Sequence, residues 1–151
     1  MNAIYIYRLS NFCNRYRIPL VGRVCKVLVF LIFNSVVPAT AKIGRYSKFA
    51  YGGVGVVIHS KSIIGERVII GQNVTIGRKL DPEGVPTIGD DVYIAAGSRL
   101  LGNIRIGNNV IIGANSVVIN DIPDNCIVAG APAKIIREDR RPIYELLKNI
   151  Y

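Results

Sequence analysis

Aliphatic residues return at every sixth position through most of this chain, and that period is what limits the folds open to it. Ile58, Ile64, Ile70 and Ile76 form one run, and Ile88, Ile94, Leu100, Ile106, Ile112 and Val118 form the next. The step from Ile76 to Ile88 is two periods, so the register survives an insertion there. Two places before these positions stand further apolar or small residues: Val56, Ser62, Val68, Val74, Val92, Ser98, Ile104, Val110 and Ser116. A spacing of two puts both side chains on one face of a short strand. A six-residue period fits neither a helix nor a long strand. It suits a short strand followed by a sharp corner. Glycine follows the repeating aliphatic at Gly65, Gly71, Gly77, Gly89, Gly107 and Gly113, which we read as tolerance of corner angles that other residues avoid. No hexad can bury its own apolar pair, so the coils must stack, pairing strands in parallel around one aliphatic column.

The rest of the chain reads differently. Its 151 residues suit one domain with a real core, and 50% hydrophobic against 19% charged argues against wholesale disorder. Residues 1–35 read as helical, with Ile4, Tyr7, Leu9 and Phe12 near one stripe and Pro19 as a breaker. A short helix is expected from about Pro142 to Ile150. The division expected is a helical region 1–38, a repeat domain 39–136 and a helical tail 137–151. The three cysteines, Cys13, Cys25 and Cys126, lack metal spacing and read as reduced, partly buried thiols of a cytoplasmic protein.

The net charge of +9 is unevenly distributed: residues 1–40 carry Arg8, Arg15, Arg17, Arg23 and Lys26 and no acid. Such an excess attracts nucleic acid, an anionic membrane surface or an anionic small molecule. The cations show no aromatic interleaving and no nucleic-acid motif, so nucleic acid ranks last. The apolar run Val27–Val37 is about half a bilayer span and is interrupted by Asn34 and Ser35. It reads as a helix packed on the domain or on a neighbouring subunit, with a helix lying in the membrane interface as the alternative.

The pattern of Ile, Leu or Val followed by Gly and four variable residues resembles that of the hexapeptide-repeat acyltransferases. The segments that carry the likeness are YGGVGVVIH (51–59), QNVTIG (72–77), PTIGDDVYIAAGSRLLGNIRIGNNVIIGANSVV (86–118) and the ending Pro132-Ala133-Lys134. Within that family they are most similar to serine acetyltransferases and to relatives that acetylate exopolysaccharide and capsule. The resemblance implies a mainly β fold, a left-handed parallel β-helix, in homotrimers whose active sites lie between subunits. It also implies acetyl-CoA as co-substrate and no metal. Zinc carbonic anhydrases share this helix but need three histidine ligands, and this chain has one histidine.

Acetyl transfer needs a base for the acceptor hydroxyl, and histidine suits that work near neutral pH. His59 is the expected base; it follows the inward Ile58, so alternation turns it outward. At 18 residues per coil, its stacked neighbours would be Ala41 and Gly77, both small. Two departures from the serine acetyltransferase pattern stand out. The Asp-His pair before the Gly-Ile-Val-Val stretch is replaced by Tyr51-Gly52, so either His59 takes over or the site is impaired. The Arg-His-Pro that meets the amino acid is replaced by Gly84-Val85-Pro86. Glu66, Asp81 and Glu83 are candidates to orient His59. The inserted loop Arg78–Thr87 would roof the site, with Tyr51, Arg78, Asp81 and Glu83 as acceptor contacts. The resemblance assigns acetyl-CoA to Gly77, Ala96, Gly97 and Ala114, with Lys134 meeting a CoA phosphate. The departures favour a sugar hydroxyl of a surface polysaccharide as acceptor; serine is the alternative, and a non-catalytic scaffold the third reading.

Overall fold

The structure, a computed structural model, describes residues 1–18, 20–80 and 83–148. Short strands, of two or three residues except in the last coil, lie on three faces and pair in parallel from coil to coil. The first face holds Lys42–Ile43, Ile63–Ile64, Thr87–Ile88 and Arg105–Ile106. The second holds Val57–Ile58, Thr75–Gly77, Arg99–Leu101 and Val117–Val118. The third runs from Lys48–Phe49 through Ile69–Ile70, Val92–Ile94 and Val110–Ile112 to Cys126–Gly130. Antiparallel Ala133–Glu138 closes it. These are the stacked parallel coils that the six-residue period predicts, in the left-handed β-helix that the family resemblance implies.

All the repeating aliphatics point inward, none more than 2% exposed. Two serines of the column bond to backbone: Ser98 Oγ lies 2.9 Å from both Ala95 O and Gly113 O, tying one coil to the next, and Ser116 Oγ accepts from Gly130 N at 3.2 Å. The buried Ser62 hydroxyl, by contrast, has no partner among the described residues.

The glycines after the aliphatics are required for a reason other than the one expected. At Gly44, Gly65 and Gly89 the backbone angles are ordinary; a Cβ on Gly65 would stand 2.4 Å from Gly89 O, and one on Gly44 2.4 Å from Gly65 O. The coils approach too closely there for any side chain. The left-handed position of that corner falls instead to Tyr46, Arg67, Asp91, Asn109 and Asn125, with φ between 54° and 60°.

Coil length also departs from a uniform 18. Val57 pairs with Thr75, but Lys42 pairs with Ile63, because the 3₁₀ turn Ala50–Gly53 lengthens the first coil by three residues. The residue stacked before His59 is therefore Pro38, as Val36 opposite Val57 shows, and not Ala41. The loop after Gly77 adds six, so that Thr75 pairs with Arg99.

Two helices precede the coils, α1 (Ala3–Arg15) and α2 (Val21–Phe33). The Asn2 side chain caps α1 by accepting from Ile4 N at 3.1 Å. The first coil has no coil beneath it, and side chains of α1 and of its N-cap Asn2 bond its free carbonyls. Tyr7 Oη donates to Ala41 O at 2.6 Å, Asn2 to Phe49 O at 2.8 Å and Asn11 to Ala39 O at 2.7 Å. The stripe expected on α1 splits. Ile4 and Tyr7 are buried, while Leu9 and Phe12 are more than half exposed, since Leu9 lies about 140° round the axis from Ile4. α2 ends at Asn34, whose left-handed backbone stops the helix. At the other end, α3 (Ile143–Leu146) is a single turn with Ile143 and Leu147 buried; the end expected for it, Ile150, lies outside the described residues, as does Pro19. All three cysteines are free and buried.

Candidate active site

His59 leaves the strand Val57–Ile58 at the corner between the second and first faces. Its backbone N–H donates to Ile76 O at 2.8 Å, which stacks it beneath Gly77. Strand alternation sends Ile58 into the core and leaves the imidazole half-buried at the surface. Nδ1 accepts from the backbone N–H of Lys61 at 3.2 Å. Among the described residues no carboxylate is hydrogen-bonded to the ring. Glu66 sits at a different corner, paired with Arg67 at 3.4 Å, and so does not orient His59.

The inserted loop rises from the same corner one coil later. Its return is fixed at Gly84, where φ is 142° and a Cβ would stand 2.5 Å from Asn103 Cβ. Between loop and corner lies a groove of about 560 Å³ lined by His59, Lys61, Arg78, Lys79, Glu83 and Val85, among others. Three cations and one carboxylate face it. An anionic substrate group suits such a lining, and the imidazole stands beside it as a proton acceptor.

Of the residues expected at the acceptor, Arg78 and Glu83 thus meet His59 in one groove. Asp81 lies outside the described residues. Tyr51 does not join them: it sits in the 3₁₀ turn Ala50–Gly53, 75% exposed with φ 49°, at the corner that enters the second face and not the one that leaves it. The three extra residues of the first coil form that turn and turn the phenol outward. The residues expected for acetyl-CoA divide in the same way. Gly77 stands over His59. Ala96, Gly97 and Ala114 stack at the entering corner, where Asn115 N donates to Ala96 O at 2.9 Å. Lys134 is exposed on the closing strand, opposite Ala129. Lys61 and Lys79 were not singled out from sequence. The stacking of His59 under Gly77 is the signal that would have found them, because it sets residues 78–79 above 60–61. Among the described residues no cluster of His, Cys, Asp or Glu could hold a metal ion.

Residues 86–120 match the family model described as bacterial transferase hexapeptide (six repeats). The chain is 37% identical over 142 residues to the serine acetyltransferase of Helicobacter pylori strain J99, covering 93% of this chain and 82% of that protein. The chain belongs to the serine acetyltransferase family. The corresponding protein of Synechococcus elongatus is 36% identical over 136 residues, 89% of this chain but 55% of its own length. The chain therefore spans only about half of that longer relative. A solved serine acetyltransferase in complex with CoA superposes with a TM-score of 0.77 at 35% identity, covering 89% of this chain and 55% of that one. These family members do not support the exopolysaccharide or capsule subgroup expected from the motif departures; they favour the serine acetyltransferases themselves.

Proposed function

We propose that this chain is an acetyl-CoA-dependent O-acetyltransferase whose acceptor is the hydroxyl of serine. The observation that carries the reading is the juxtaposition of His59 with Lys61, Arg78 and Lys79 in one groove. Family members meet the amino acid with Arg-His, and here Gly84 and Val85 stand at those positions. The three cations offer a serine carboxylate a different set of partners, which removes the main sequence objection to serine. The imidazole of His59 takes the hydroxyl proton as the serine oxygen attacks the thioester carbon; collapse breaks the C–S bond, and the proton leaves with CoA as its free thiol. CoA in the solved relative supports acetyl-CoA as donor.

A homotrimer, as the family resemblance implies, completes the proposal. His59 and Gly77 lie at one edge of the second face and Ala96, Gly97 and Ala114 at the other. A three-fold assembly would bring one copy's His59 edge against a neighbour's small-residue edge, leaving room for pantetheine between them.

The test is acetyl-CoA-dependent release of CoA thiol with L-serine and a panel of saccharides in parallel. Release with serine is the expected result. Release with a saccharide and not with serine would overturn the acceptor and restore the sugar hydroxyl.

A further inference from the structure

The first 65 residues contain nine Lys and Arg and no Asp or Glu; Glu66 is the first acid. Four of those cations, Arg15, Arg17, Arg23 and Lys26, are exposed around the turn that joins α1 to α2. The same hairpin exposes two apolar stripes. Tyr5, Leu9 and Phe12 on α1 and Tyr16 at its C-cap are 53–74% exposed, and Leu20 at the N-cap of α2 and Val24, Val27 and Leu31 along it are 51–72% exposed. Each stripe lies opposite the residues its helix buries, Ile4 and Tyr7 on α1, Cys25 and Val29 on α2. A surface helix ordinarily turns a polar face outward; α2 turns an apolar one outward and keeps its two cations on a flank. Beside that flank lies a concavity of about 490 Å³ walled by Val27, Phe30 and Val36, with Arg23 and Lys26 also lining it.

We infer that the α1–α2 hairpin is a docking surface for an anionic lipid bilayer. Charge decides the occupant. A second copy meeting this surface face to face would set four cations against four with no acid between them, whereas anionic headgroups neutralise them. The apolar stripes enter the acyl boundary, the phenols of Tyr5 and Tyr16 stay at headgroup level, and the concavity beside Arg23 and Lys26 takes one lipid's chain and headgroup together. The hairpin lies on the bilayer and does not cross it: each helix has 13 residues, and among the described residues no helix is long and apolar enough to span.

The experiment is sedimentation of the full chain with phosphatidylcholine vesicles and with equimolar phosphatidylcholine and phosphatidylglycerol vesicles. It compares wild type with the quadruple variant R15Q/R17Q/R23Q/K26Q and with the double variant Val24→Ser/Leu31→Ser. Wild type is expected to pellet with the anionic vesicles and to be released by salt. The quadruple variant should bind more weakly by up to about 600-fold, at about fivefold for each of the four cations removed. The double variant should also bind more weakly, with its assembly mass unchanged. Equal sedimentation of all three proteins would overturn the proposal. So would a double variant that changes assembly mass while keeping lipid affinity, which would make the face an interface between copies. No acceptor enters the measurement, so its result is separable from the acetyltransferase reading.

Discussion

The backbone N–H of Lys61 lies 3.2 Å from Nδ1 of His59 and donates to it. The backbone of a tight corner therefore bonds this imidazole, and among the described residues no carboxylate does. Nδ1 is occupied as an acceptor, so the neutral ring carries its proton on Nε2 in this conformer. For Nε2 to take a proton from the acceptor, the ring must exchange tautomers and give up the Lys61 contact. His59→Ala is expected to lower turnover by about 10²–10⁴ while acetyl-CoA binding and thermal stability hold, since the side chain lies at the surface. Steady-state thiol release and acetyl-CoA titration measure the two halves; turnover within a few-fold of wild type would remove His59 from the chemistry.

The cations of the groove act on a different kinetic constant. If Lys61, Arg78 and Lys79 hold the serine carboxylate, they bind ground state and transition state alike. Their joint replacement by Ala should raise KM for serine by about tenfold or more with a much smaller change in kcat. L-Serine methyl ester supplies the control, because it keeps the hydroxyl and lacks the carboxylate. Its KM should not respond to the triple variant; an equal loss with ester and acid would show that the cations serve something other than the carboxylate.

How far the sequence reaches follows from which interactions are periodic. Ile58 to Val118 define the coil, its parallel pairing and its core, because every coil repeats the same burial problem. The exceptions are what sequence hides. The turn at Tyr51–Gly53 shifts the first coil by three residues, which exchanges Ala41 for Pro38 beneath His59 and moves Tyr51 to the far edge of the face. Lys61 and Lys79 are ordinary lysines until the stacking of His59 under Gly77 brings them over one groove. Leu9 and Phe12 share apolar character with Ile4 and Tyr7 but not their side of α1, and their exposure becomes visible only once the helix is seated.

The stacked corners give a prediction in which two similar glycines behave oppositely. A Cβ at Gly65 would meet Gly89 O and Asp90 Oδ1, each at 2.4 Å, and the backbone of the next coil cannot move without breaking Gly65 N–H to Ile88 O. Gly65→Ala should cost about 1–3 kcal/mol by overpacking. At Gly77 the nearest atoms to such a Cβ are side-chain carbons at 3.8 Å, so Gly77→Ala should leave stability within about 0.5 kcal/mol. Denaturant unfolding of both variants tests the contrast; equal losses would mean that the corners are not packed as described.

Asp139 ties the closing strand to the tail, and its charge makes that tie depend on pH. The Arg141 guanidinium donates to both carboxylate oxygens, at 3.0 and 2.7 Å, and Arg137 stands 3.3 Å away. The backbone of Asp139 donates to Asn125 O at 2.8 Å, beside Asn109, which accepts from Ile143 N and so positions α3. Chiefly through the hydrogen bond from Arg141, the carboxyl falls from its ordinary 3.8 to about 2. A carboxyl with a lowered folded pKa binds fewer protons folded than unfolded in that interval. The stability it contributes is thus complete above about 3.8 and is lost as the pH falls through about 2. Asp139→Asn should therefore unfold at lower denaturant than wild type near neutrality, and the two midpoints should converge on acidification across that window. Unfolding midpoints taken down the acid limb check this; a gap that stays constant to the lowest pH would assign the difference to the lost side-chain geometry and not to the charge.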